Sequence, residues 1–172
     1  MTSATRKFIA VVAACGLSAS VIAYIGSYAG TTVDGLSLLA AALHIGAILF
    51  MLPMIAIEYP EVRDRKYFWK GFSEGMPAWV IPGIKLLELF FLFHFVLFLI
   101  QSHAASPQII NGEHVLSSRG HIMRVITQEE YFRLKGGELR LFATLWMCFY
   151  FIPTVYWWFP RNRERPAERP AT

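Results

Sequence analysis

Five charged or imidazole side chains lie inside stretches of sequence that are otherwise apolar: His44, Lys85, Glu88, His94 and Arg140. Charge and polarity are expensive in such surroundings, so each is a functional candidate by default. The two histidines have the most specific chemistry open to them. Neutral imidazoles facing each other across a helical bundle can ligate the iron of a b-type haem axially. Ala40, Ala41, Ala42, Gly46 and Ala47 around the first histidine would leave room for a flat macrocycle, and Phe90, Phe91, Phe93, Phe95 and Phe98 would line it. The plainer reading is two core histidines, each satisfied by a hydrogen bond inside the bundle.

Lys85 and Glu88 are three residues apart, the spacing that lets side chains meet on one helix face. As structure, the pair neutralises itself and fixes the rotation of its helix. As function, Glu88 would be the proton or cation site of a small transporter. The structural role is the expected one, because transporters usually draw on more than one polar span and the first apolar run carries no charge. Glu138 and Arg140 stand at the entrance of the last apolar run, placed to pair with loop residues or phosphates. His103, His114 and His121 share one polar segment with Glu113 and Glu129, but no tight ligand spacing joins them, so no specific metal is expected. No G-x-S-x-G, H-E-x-x-H or P-loop occurs. The sequence leans away from an enzyme.

The elements that would hold these groups follow from composition. Of 172 residues 55% are apolar and only 16% charged, against about 25% charged in soluble domains. The apolar residues are clumped into four runs, over about 8–28, 36–57, 80–101 and 139–159. Each is ~30 Å long as a helix, enough to cross the hydrocarbon. Lipid offers backbone groups no partners, so each run is expected to be helical. The predicted fold is an all-α membrane protein, a four-transmembrane-helix bundle. The second and third helices are consecutive and antiparallel, hence expected neighbours, with His44 ~16 Å and His94 ~12 Å below the same surface.

Orientation follows from Lys and Arg near the runs. Arg6 and Lys7, then Arg63, Arg65, Lys66 and Lys70, then Arg161, Arg163, Arg165 and Arg169 fall on one side; Arg119, Arg124, Arg133 and Lys135 fall on the other. The ten-to-four bias places both termini in the cytoplasm and the 103–138 segment outside. Arg6 and Lys7 before an apolar stretch resemble a signal peptide, but the run continues 13 residues past Cys15, as an uncleaved anchor would. Cys15 and Cys148 have no C-x-x-C partner and read as packing residues. The net charge of +4 suits anionic headgroups, so lipid and not nucleic acid is the expected contact. Arg65 to Phe72 mixes basic and aromatic residues, as an interfacial segment does. The 160–172 tail is expected to be disordered.

The 103–138 segment is the only sizeable polar stretch, and it reads as a small β-meander/short-helix lid between helices three and four. Asn111-Gly112 is a tight-turn dipeptide between Pro107–Ile110 and Glu113–Leu116. A second turn at 117–120 leads into His121–Ile126, a half-buried strand. Thr127 to Glu130 fits a capping box, with Glu130 reaching back, and a short helix is predicted to end at a Gly136-Gly137 hinge.

The leading expectation is a small membrane protein of the bacterial plasma membrane, a non-catalytic accessory or assembly subunit presenting its lid to a protein partner or to copies of itself. The alternatives are a b-type haem or quinone-reactive subunit using His44 and His94, and an oligomeric transporter or channel using Glu88.

Overall fold

The structure, a computed structural model, describes residues 2–32, 34–62, 72, 75–103 and 105–159, without the side chains of 57–62. It is built from α1 (Ser3–Gly26), α2 (Ser37–Val62), α3 (Val80–Ser102), strands β1 (Ser106–Ile110), β2 (Glu113–Ser118) and β3 (His121–Val125), and α4 (Gln128–Trp158). Four helices are long and apolar enough to cross a membrane. Of the segment Arg65 to Phe72 only Phe72 is described, and it is buried; the 160–172 tail lies outside the described residues.

Local chemistry sets the helix ends. Thr2 caps α1, its hydroxyl accepting from the Thr5 amide at 3.2 Å. A 3₁₀ turn over Ser27–Ala29 and Gly30 at φ 86° then close α1. α3 stops where His103 turns left-handed and its N–H bonds the Leu99 carbonyl. Within the helices, serine hydroxyls are spent on their own backbone: Ser20 on Gly16 and Ser102 on Phe98, each at 2.7 Å.

α4 is the hub. It packs along α1 for most of their common length and also against α3 and α2. Half of its most apolar window is buried, against about a tenth for α3, so α3 turns most of its surface outward. At 31 residues α4 is ~46 Å long, well over the ~30 Å of hydrocarbon. Its first ten or so residues therefore project beyond the spanning portion and carry the sheet. The core pairs small residues of α1 and α2 (Ala13, Ala23, Ala40, Ala47) with large ones of α4 (Trp146, Tyr150), which lets backbones approach where no water drives association. At the far end Arg6 of α1 donates to the Phe159 carbonyl at 2.9 Å, so both described chain ends lie at one end of the bundle.

The sheet is antiparallel in the order β1-β2-β3. Asn111 and Gly112 have φ of 53° and 82°, and Arg119 and Gly120 have 52° and 82°. Positive φ at both central residues is the primed turn that matches strand twist. A bulge between Leu116 and Ser117 shifts the register of β3. Leu116, Ile126, Tyr131 and Leu134 form a small core beneath the sheet.

Four expectations need correction. β3 is not half-buried: His121 to Val125 are all exposed, because β3 is the outer edge of the sheet and only Ile126, just past its end, reaches the small core. α2 and α3 are not packed neighbours; the α1–α4 pair takes up the contacts. The glycine pair is not a hinge, because α4 runs unbroken through it. Gly136 and Gly137 are buried, and a Cβ at Gly136 would sit 3.3 Å from the Ser27 carbonyl oxygen, so Gly136 serves close approach to the turn after α1, while Gly137 faces Gln101 and Phe98 of α3. Thr127 does cap α4, accepting from the Glu130 amide at 3.1 Å, but the Glu130 carboxylate does not reach back. Arg124 holds it instead.

Candidate functional site

A polar cluster gathers around His94, where α1, α3 and α4 meet. Nδ1 of His94 lies 3.0 Å from the Phe90 carbonyl. A carbonyl only accepts, so Nδ1 carries the hydrogen and, in the neutral ring, Nε2 is the acceptor. Nε2 faces the Tyr24 hydroxyl at 3.1 Å, and Tyr24 meets the Tyr28 hydroxyl at 3.0 Å. The Arg140 guanidinium lies over the Tyr28 ring, 4.8 Å from its centroid. These groups border a cavity of ≈ 310 Å³, whose remaining walls include Phe90, Phe93, Phe98, Gln101 and Gly137. Among the described residues Arg140 makes no ion pair.

His44 is elsewhere. Its Nδ1 donates to the Ala40 carbonyl at 2.9 Å, and its ring packs edge-on against Phe142 and Trp146 of α4. It is not part of the His94 cavity. The α1–α4 pair, with its packed core, stands between the two histidines, and the structure does not bring them together. Nδ1 of each imidazole donates to the carbonyl four residues back on its own helix.

Lys85 and Glu88 are exposed on α3 and, among the described residues, make no ion pair within 4 Å, with each other or with any other group. Glu88 borders a second, mostly apolar groove of ≈ 170 Å³ with Phe91, Cys148 and Phe149. Cys15 and Cys148 are free thiols. His103 and His121 are exposed, while His114 packs on the Tyr131 ring at 4.7 Å. Among the described residues no three of His, Cys, Asp and Glu come together as a metal site would need.

Two clusters escaped the sequence reading. The Tyr24–Tyr28–Gln101 part of the His94 site went unnoticed because its members are uncharged; the one-turn spacing of the tyrosines was the available signal. The other sits where α4 projects. Lys135, 11% exposed, lies 3.1 Å from Glu138 and 3.3 Å from Asp34, and Tyr131 donates to Asp34 at 3.3 Å. It clamps the α1–α2 turn to α4.

The sheet has its own tether. Arg124 of β3 donates to both carboxylate oxygens of Glu130, one bond measuring 2.9 Å, and Arg133 adds its charge. The hydrogen bond from Arg124, opposed by slight burial and helped by the charges of Arg124, Arg133 and His103, holds the Glu130 carboxyl below the usual range. A depressed carboxyl stabilises fully above its unfolded value and loses that contribution as pH falls through the folded one. A spin label at position 123, in a Cys15→Ser/Cys148→Ser background, is expected to stay ordered at neutral pH and loosen below the ordinary carboxylate range. Glu130→Gln should show the loosened spectrum already at neutral pH.

Compared with protein-family models, with characterised proteins and with solved structures, the chain finds no match.

Proposed function

We propose that this chain is a non-catalytic accessory or assembly subunit of a bacterial plasma membrane, with both termini cytoplasmic and the sheet outside, where it docks an extended segment of a protein partner. The observation that carries the reading is β3. Every residue of this edge strand is exposed, and Ile122, Met123 and Val125 are all more than half uncovered. An edge strand with uncovered apolar side chains and free backbone groups invites strand addition, and soluble surfaces normally blunt such edges. Arg124 is the strand's one charge, and Glu130 already holds it. The Lys135 clamp and the Glu130 tether hold the edge in place without burying it.

The test is the size of the particle. Extracted gently from its own membrane, the chain is expected to run in a complex with a second protein, and a photocrosslinker at position 123 should join the two. Ile122→Glu with Val125→Glu should dissolve that complex while the bundle melts as before. A wild-type chain that runs alone or only with itself overturns the reading, as does a double variant that keeps its partner.

The cavity beside His94 favours a second reading, a subunit that holds a small cofactor through one imidazole and not two.

A further inference from the structure

We propose that the cavity beside His94 binds the head of a membrane-soluble quinone or its quinol, the ring lying between α1 and α3 with its tail in lipid. This rests on the second reading above and names the ligand class. The cavity's ≈ 310 Å³ falls at the lower end for small-molecule sites, about 300 Å³ upward. It suits a single substituted ring better than a macrocycle.

Three observations select the class. The first is the disposition of polar groups at two separate ends. At the inner end stands the Nε2 acceptor of His94 with the Tyr24 hydroxyl. At the other stand the Gln101 amide and the Arg140 guanidinium, seven residues along α3 and at the mouth of α4. A ring carrying oxygens at opposite positions meets both ends at once: Arg140 and Gln101 donate to one oxygen, and the His94–Tyr24 pair serves the other. A phosphate has all its oxygens on one centre and would engage Arg140 while leaving the inner end untouched.

The second is the wall between the ends. Phe90, Phe93 and Phe98 with Tyr24 and Tyr28 give flat apolar faces, and aromatic rings pack on such faces edge-on or offset. The third is access. His94 is 7% exposed and lies ~12 Å below the end of α3, out of reach of a water-borne ligand. Phe93 and Tyr28, which border the cavity, are more than half exposed on the outward surface. α1 and α3 are joined there by side chains and not by close backbone packing. The entrance therefore faces laterally, toward lipid, from which a prenylated ring arrives.

Arg140 gives the site its sign. It is a permanent cation with no carboxylate partner among the described residues, so it favours electron-rich oxygen. The Tyr28–Tyr24–His94 chain of hydroxyls and imidazole leads from an exposed phenol to the inner end, where it accepts a hydrogen bond from a quinol hydroxyl or offers one to a quinone carbonyl.

The test uses the full chain in nanodiscs. Decyl-benzoquinone is titrated by calorimetry, with haem and phosphatidylglycerol as separate arms. Saturable binding of the quinone, one per chain, is expected. Arg140→Gln and Tyr24→Phe should each weaken it about tenfold, the loss of one strong hydrogen bond. Gly137→Ala keeps every polar group and fits sterically, since its Cβ would lie 3.7 Å or more from its neighbours. It should weaken binding by crowding the Gln101–Arg140 end of the cavity. Leu97 also lines the cavity, and Leu97→Trp should abolish binding by filling it, without changing the melting temperature. Quinone that fails to bind the folded wild type, or binds Leu97→Trp equally well, overturns the proposal. Haem binding lost in Leu97→Trp, with no quinone binding, overturns the ligand class and keeps the single-imidazole reading. Phosphatidylglycerol alone binding there makes it a lipid site and overturns both, as does no binding in any arm.

Discussion

Gly46→Ala is expected to destabilise the bundle by about 2–3 kcal/mol, the upper part of the range for overpacking a filled core, and Tyr150→Phe is expected to restore most of it. Tyr150 of α4 is buried between α1 and α2 and donates to the Leu43 carbonyl at 2.9 Å. A Cβ on Gly46 would fall within the envelope of the Tyr150 hydroxyl, while the nearest ring carbon, Cζ, would be 3.4 Å away. Removing the oxygen therefore removes the clash. Gly16, on the opposite flank, behaves differently. Its Cβ would overlap ring carbons Cε1, Cδ1 and Cζ, so Gly16→Ala should cost as much and gain nothing from Tyr150→Phe. Reversible unfolding in mixed micelles measures the three single and two double variants and the coupling within each pair. Equal rescue of both glycine variants would show that the ring is not seated as described.

The clamp beneath the sheet carries the other large effect. Lys135→Met is expected to cost on the order of 3 kcal/mol, because it leaves the Glu138 carboxylate, itself 18% exposed, without its cation. Asp34→Asn should cost much less, since the Asp34 side chain is 61% exposed and water screens it. Adding Glu138→Gln to Lys135→Met should recover much of the loss, as replacing both members of a buried pair usually does. Burial works against the lysine charge, yet Glu138 and Asp34 together outweigh it and raise the Lys135 pKa. A raised lysine stabilises fully below its unfolded value and loses that contribution only as pH climbs through the folded one. The clamp therefore holds through neutral pH and loosens only in strong alkali. Thermal melts of the three variants at neutral pH and of the wild type at rising pH check both statements.

Periodicity and turn chemistry made much of this fold readable. The apolar lengths located four helices, Asn111-Gly112 located one primed turn, and Thr127 located a cap. Each is a local signal, complete within a few residues. What escaped depends on partners distant in sequence. Gly136-Gly137 reads as a hinge until Ser27 is seen pressed against it. Glu130 reads as half of a capping box until Arg124 competes for its carboxylate, and a charged donor wins over a backbone amide. The pairing of His44 with His94 rested on chain order making neighbours, and four-helix topology does not guarantee that. The cavity was missed because Tyr24, Tyr28 and Gln101 carry no charge and so cost the sequence nothing visible.

The hub position of α4 also has a consequence for biogenesis. The helices that leave the ribosome first have little to offer one another: α1 and α2 touch sparingly, and α3 finds its main surface on α4. Insertion can proceed helix by helix, but assembly waits for the final segment. Until translation reaches Trp146 and Tyr150, the alanine faces of α1 and α2 have nothing large to close upon. A chain truncated before α4 would lie in the bilayer as three loosely associated helices, a ready substrate for membrane proteases.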